Sequence, residues 1–362
     1  MADLPLKSPV YANILNQADA LEQVLDYQLT HGQAALAPAA RALVNASRLV
    51  VVASGASYSA CTAFVYRLAA AGVASVQEEG GEFLHYTARG YPVRSVFVFV
   101  SRSGESVEIV RALEALKRPG HITIGVTNEP GSRLARECDL PVLIHGPSDH
   151  QICIQTYATT LLTLYLLAMA VIGVPSSEYA PGLAQMVQAV RSTLAEYQER
   201  SAAWAEQLRA YQAIYLLGRG LSYASAQQGA HVLHEMARFP GIAYSSGAFR
   251  HGPWEAVDEN SRAVVFAPTD HTLPLNLALA GDLVRLGGEV ALVTSNKGPL
   301  PAGVEAWRVP AIEPALAPFL EILPVEFLAY QLALWRGLTP GAYRASRQVT
   351  TSETGIWPEA SE

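Results

Sequence analysis

Short, continuous apolar runs punctuate this chain, each followed by a glycine- or serine-containing turn and then a helical stretch. Leu49–Ala53 (LVVVA) leads into Gly55-Ala56-Ser57-Tyr58-Ser59-Ala60, and Ala213–Leu217 (AIYLL) leads into Gly220-Leu221-Ser222-Tyr223-Ala224-Ser225. The runs are rich in β-branched residues and do not alternate with polar ones, which marks strands buried on both faces and hence a parallel sheet covered by helices. The pattern also repeats. The two glycine turns lie 165 residues apart, and Gly81-Glu82-Phe83-Leu84-His85 returns as Gly247-Ala248-Phe249-Arg250-His251 at 166. Val96–Val100 returns as Ala263–Ala267, and Ile124–Asn128 as Ala291–Ser295, both at 167. Matches in order at nearly one offset predict two copies of one fold. The expected architecture is α/β, with two doubly wound parallel-sheet domains in tandem over about 30–175 and 195–335. A helical segment precedes them, Ser176–Leu194 connects them, and a tail covers 336–362. An amphipathic helix over 186–210, with Met186, Val190, Leu194 and Trp204 on its apolar side, would lead into the second domain.

Composition agrees with a compact globular protein: half of the 362 residues are hydrophobic and 16% are charged. The net charge of −7 and the lack of any Lys/Arg run argue against a nucleic-acid partner. Cys61, Cys138 and Cys153 show no metal or CxxC spacing, and read as free thiols in a reducing, cytoplasmic setting. The first thirty residues lack the apolar run of a secretory signal. Thr156–Val174 is long and uncharged enough to span a membrane, but its four threonines suit a buried helix, so no membrane role is expected.

The strand Val96–Val100 ends in Ser101-Arg102-Ser103-Gly104-Glu105-Ser106, with the helical Val107–Leu113 behind it. Three hydroxyls and a glycine at the carboxyl end of a strand, opening a helix, suit an anion: first-turn N–H groups point outward and the helix dipole favours negative charge. A plain serine cap would need one serine, not three. The second copy carries Pro268-Thr269-Asp270-His271-Thr272 at this place, without the serines and glycine, so one phosphate site per chain is expected. Neither a GxxxxGK[ST] loop nor the full dinucleotide glycine pattern is present, which disfavours nucleotide or NAD chemistry and leaves no cofactor expected.

Taken together, these turns and loops, with Gly218-Arg219-Gly220, Leu233-His234-Glu235-Met236 and Phe249-Arg250-His251-Gly252-Pro253, resemble the sugar isomerase (SIS) domain family. They are most similar to the tandem isomerase halves of glucosamine-6-phosphate synthases and to stand-alone amino-sugar-phosphate deaminases, isomerases and deglycases. The resemblance spans about residues 30–350. It implies that Ser101, Ser103 and Ser106, with Arg102, hold a sugar phosphate, that Gly55, Ala56, Ser57 and Gln155 lie near the sugar, and that the tail closes the site. It further implies that Glu235 moves a proton between C1 and C2, and that His251 of a neighbouring subunit opens the ring, so a homodimer with shared active sites is expected. The chain begins Met1-Ala2-Asp3, without the amino-terminal cysteine of a glutaminase half, so glutamine-dependent amide transfer is not expected.

Two positions depart from the synthase pattern. Arg347 stands where the family places a Schiff-base lysine, and Val232 replaces a lysine three residues before Glu235. Arginine stays protonated and forms no imine. What remains is acid–base chemistry through an enediol or enolamine, with Glu235 near a buried helix face that would raise its pKa. Either Arg250 or Arg347 would pair with the phosphate or the developing oxyanion. His231, His234 and Glu235 lack metal-site spacing, so no metal is expected. Isomerisation, deamination and cleavage of an Amadori adduct share this intermediate and stay open. A non-catalytic sugar-phosphate sensor is the reading from another class, and Glu235 with His251 argues against it.

Overall fold

The computed structural model describes residues 8–116, 120–201, 211–344 and 352–353. Arg347, Trp204 and most of the tail lie outside the described residues. The chain divides into two compact units. One is drawn from Gln23–Ser148, Thr156–Glu178 and the segment from Tyr343, and the other from Met1–Glu22, Asp149–Gln155 and Tyr179–Ala342.

The apolar runs are strands. In the first unit β1 (Arg48–Ala53), β2 (Val76–Glu79), β3 (Ser95–Val100), β4 (Ile122–Thr127) and β5 (Leu140–Leu143) form a parallel sheet in the order β2-β1-β3-β4-β5. In the other, β6 (Ile214–Gly218), β7 (Gly241–Ser245), β8 (Arg262–Phe266), β9 (Glu289–Thr294) and β10 (Val304–Arg308) repeat it as β10-β9-β8-β6-β7. Each sheet therefore steps outward once, reverses, and then runs across the first strand. With right-handed crossovers, that reversal lays helices on both faces, so the fold is α/β and doubly wound, twice over.

Strand alternation shows the two faces of the second sheet. Tyr215 points to one side, where its ring meets Phe249 at 5.0 Å, and Leu217 shares the apolar cluster of Phe249, Leu279 and Leu283. Leu216 points to the other, where a Cβ on Gly229 would meet it at 2.5 Å and Val325 at 3.2 Å. Helix Ser222–Ala237 packs so closely on this side that position 229 has no room for a side chain. In the first unit Phe83, Phe97 and Phe99 stack against helix Val107–Ala115. That core anchors the helix whose start bears the serine loop.

The long apolar segment forms helix Gln155–Ile172, and a second apolar helix of the same 18-residue length spans Pro318–Trp335; both are largely buried. The second escapes notice in the sequence because Glu321 and Glu326 interrupt it. The stretch expected to connect the domains is one continuous helix, Ser176–Arg200, with Met186, Val190 and Leu194 buried.

Candidate active site

The register Ala53↔Val100 ends β1 and β3 level, so the Gly55 turn and the Ser101–Ser106 loop emerge side by side. This is where the strand order reverses, the place where open α/β sheets hold ligands. Ser101 is buried, with its N–H continuing the ladder to Val126 O at 3.1 Å. Its Oγ stands 3.1 Å from Ser106 Oγ and accepts from Gly104 N at 3.1 Å. Gly104 turns the loop at φ +63°, and a Cβ there would lie 2.2 Å from Ser132 Oγ. Glycine is thus required both by conformation and by close approach.

Two supports hold the loop in place. Thr127 Oγ1 and Asn128 N both donate to Arg102 O at 3.1 Å, and the Asn128 amide is fixed by paired bonds with Gly146. Glu105 is pinned outward by Arg133 N at 2.7 Å. Beyond the loop, Val110 N donates to Ser106 O, while the N–H groups of Ser106 and Val107 have no acceptor among the described residues. Two hydroxyls 3.1 Å apart at the start of a helix whose first N–H groups are open make the kind of donor set that suits an oxyanion. Sequence reasoning singled out Thr127-Asn128 only as part of a repeat. Their role as the loop's brace depends on carbonyl geometry that no motif shows.

At the same end of the sheet, Ser54 Oγ donates to Glu79 Oε1 at 2.6 Å, and Glu79 Oε2 caps Gly81 and Glu82. Burial pushes the Glu108 carboxyl above its ordinary range, its own N–H opposes this, and Glu353 and Glu79 add to the rise. Ala56 and Ser57 open helix Gly55–Ala70, half-buried beside the exposed Gly55 at φ +57°.

The second copy is built differently. The first N–H groups of helix Ser222–Ala237 are spent: Ser222, Tyr223 and Ala224 donate to the carbonyls of Arg219, Gly220 and Leu221. Ser222 and Ser225 each donate at 2.8 Å to the buried Glu321, whose carboxyl burial pushes up to about 7 despite those two bonds. After β8, Asp270 accepts from Thr272 N and Oγ1, which closes that turn as well.

The predicted chemical residues fall on both units. The Gly55 turn and the serine loop share one. Glu235, His251 and Gln155 belong to the other. Glu235 is half-buried in the last turn of helix Ser222–Ala237, whose end is tied to β7 by Gly241 N donating to His234 Nε2 at 3.1 Å. Val232 is fully buried on the inner side of that helix. His251 is exposed and follows the short turn Ser246–Phe249, on the Tyr215 side of the sheet. Helix Ser222–Ala237, which carries Glu235, and the Ser246–Phe249 turn, which precedes His251, pack on opposite faces of the sheet. Gln155 is buried, with its Oε1 accepting from Asn16 Nδ2 at 2.7 Å. Arg250 pairs with Asp282 at 2.6 Å, a carboxylate it shares with Arg285, and lies over the Trp254 ring.

Two copies of a doubly wound parallel α/β sheet, one with a serine-lined turn at its switch point, define a tandem α/β class. The chain belongs to the SIS domain family, whose pattern matches residues 42–171 and 207–335. Among curated proteins it is similar to the isomerizing glutamine–fructose-6-phosphate aminotransferase of Pyrobaculum aerophilum, at 28% identity over 87% of this chain and 53% of that protein. The chain thus spans about half the length of such relatives. Among solved structures it is similar to the C-terminal domain of glucosamine-fructose-6-phosphate aminotransferase from Francisella tularensis (TM-score 0.84, 23% identity, 92% of this chain and 98% of that one). It is also similar to a glucosamine-6-phosphate deaminase from Thermotoga maritima (TM-score 0.75, 22% identity, 92% and 97%). At these identities the structural likeness is one of fold.

Proposed function

We propose that this chain is a phosphosugar-processing enzyme of the aldose–ketose isomerase or amino-sugar-phosphate deaminase type. The observation that carries the reading is the Ser101–Ser106 loop, with two hydroxyls 3.1 Å apart and open N–H groups behind them. An open-chain sugar phosphate is anchored there by its phosphate, with Ser57 near the sugar. Glu235 takes and returns the proton beside the carbonyl, through an enediol or enolamine. His251 opens the ring or protonates the leaving group. The resemblance assigns this role to His251 of a neighbouring subunit, and its exposed position after a turn packed on the face of the sheet away from the helix of Glu235 supports sites shared between subunits. The relatives' names, an aminotransferase with isomerizing activity and a deaminase, fall in the same chemistry. Deglycation of phosphorylated Amadori adducts is the second reading, favoured by Arg347 in place of an imine-forming lysine.

The test is a panel of hexose 6-phosphates, amino-sugar 6-phosphates and their amine adducts, read out as ketose formation, ammonia release and free amine. Turnover of at least one class is expected, and its loss in Ser101→Ala/Ser103→Ala. Binding without any turnover would replace the enzyme by a sensor, and full activity in the double variant would remove the phosphate assignment.

A further inference from the structure

The register Gly218↔Ser245 ends β6 and β7 level, so Arg219 and Ser246 follow as neighbours at the carboxyl edge of the second sheet. The Arg219 guanidinium lies against Gly247, where an added Cβ would stand 3.2 Å from Nη1. Arg219 Nε and Ser246 Oγ are both buried without a hydrogen-bond partner, and Ser246 has no solvent exposure at all. No acidic group among the described residues pairs with Arg219. Its charged form is disfavoured by burial and then by Arg250, which is itself committed to Asp282.

The first copy solves the same corner internally. There Ser54 precedes the glycine turn and donates to Glu79, the last residue of β2. The second copy has Arg219 in the place of Ser54 and Ser245 in the place of Glu79, so the cation has arrived and the acid has gone. Leaving a guanidinium N–H and a hydroxyl buried and unbonded costs free energy, and such groups persist where a ligand completes them. The ligand's shape follows from the donors present. The first N–H groups of helix Ser222–Ala237 are spent on local carbonyls, so that helix offers no backbone cradle for a phosphate's three oxygens. A planar guanidinium fork with one hydroxyl suits the two oxygens of a carboxylate.

We propose that Arg219 and Ser246, which lies five residues before His251, form a carboxylate-binding subsite that takes the carboxylate on the amine portion of a sugar-phosphate–amino-acid adduct. The link to substrate rests on the proposed function; the carboxylate subsite itself does not. The test uses the full chain and two adducts of one sugar phosphate, made with glycine and with methylamine, which differ by the carboxylate. The wild type is expected to favour the glycine adduct in kcat/KM by roughly 10- to 100-fold, the range of one charge-assisted bidentate contact. In Arg219→Leu this ratio falls to near one, and in Arg219→Lys it falls part of the way, with melting curves confirming that both variants fold. An equal ratio in wild type and Arg219→Leu overturns the substrate assignment. Titration calorimetry with N-acetylglycine covers the case in which neither adduct turns over. Binding lost in Arg219→Leu keeps the subsite as one for a free carboxylate and rejects the enzymatic reading alone, whereas no binding by the wild type overturns the subsite.

Discussion

Glu326 lies in the interior of helix Pro318–Trp335 with no solvent exposure. Its Oε2 accepts from Gln17 Nε2 at 2.6 Å and its Oε1 has no partner. Burial pushes its carboxyl up to about 8, against the pull of the Gln17 bond and with a smaller push from Asp149. The folded protein therefore keeps a proton that the unfolded chain, near 4.5, gives up. Stability from this group is whole below about pH 4.5 and is lost as pH rises through about 8. At about 1.4 kcal/mol per pH unit, the native state should lose about 3 kcal/mol between about pH 5.5 and pH 8 through this residue. Glu321, raised to about 7, acts in the same direction and leaves a smaller residual slope. Glu326→Gln keeps the shape, removes the titration and lowers stability at acid pH, because a buried amide N–H is left unbonded. The readout is therefore the slope, not the absolute value. Urea unfolding at a series of pH values should show the midpoint of the wild type falling steeply across this window, with a flatter line for the variant. Parallel lines for the two proteins would mean that Glu326 is already ionised when folded, and the account of its burial would be wrong.

Three further outcomes concern the active site. Ser101→Ala/Ser103→Ala should weaken phosphosugar binding by a few kcal/mol, at roughly 1.5–3 per charge-assisted hydrogen bond, and calorimetry should find one phosphate per chain; unchanged affinity or two phosphates would contradict the loop assignment. Borohydride added with substrate should leave the protein mass unaltered, because Arg347 forms no imine; a trapped adduct would point to another lysine. Glu235→Gln and His251→Ala should each lose about two to four orders of magnitude in turnover, and mixing the two under subunit exchange should restore part of it. A mixture that stays inactive, with exchange verified, would place both groups in one subunit's site.

Much of this molecule is legible in its residues. Continuous β-branched runs at one repeating offset are enough for two parallel sheets, because a strand buried on both faces admits no polar alternation. The serine loop is legible too, since hydroxyls around a glycine at a strand's end have few other uses. What the chain order hides is everything that depends on which face or neighbour a residue meets. Nothing near Arg250 in the chain announces Asp282, which the fold brings beside it and beside Arg285. Nor does the chain order say that the helix of Glu235 and the turn before His251 pack on opposite faces of one sheet. Glu321 and Glu326 look like interruptions in an apolar helix, and become buried acids only when Ser222, Ser225 and Gln17 pack against them. Sequence determined the elements and the serine–glycine turn after β3, because these follow from local periodicity and backbone chemistry. Tertiary structure decided the partners of each charge, because pairing, desolvation and open valence are set by groups distant in the chain.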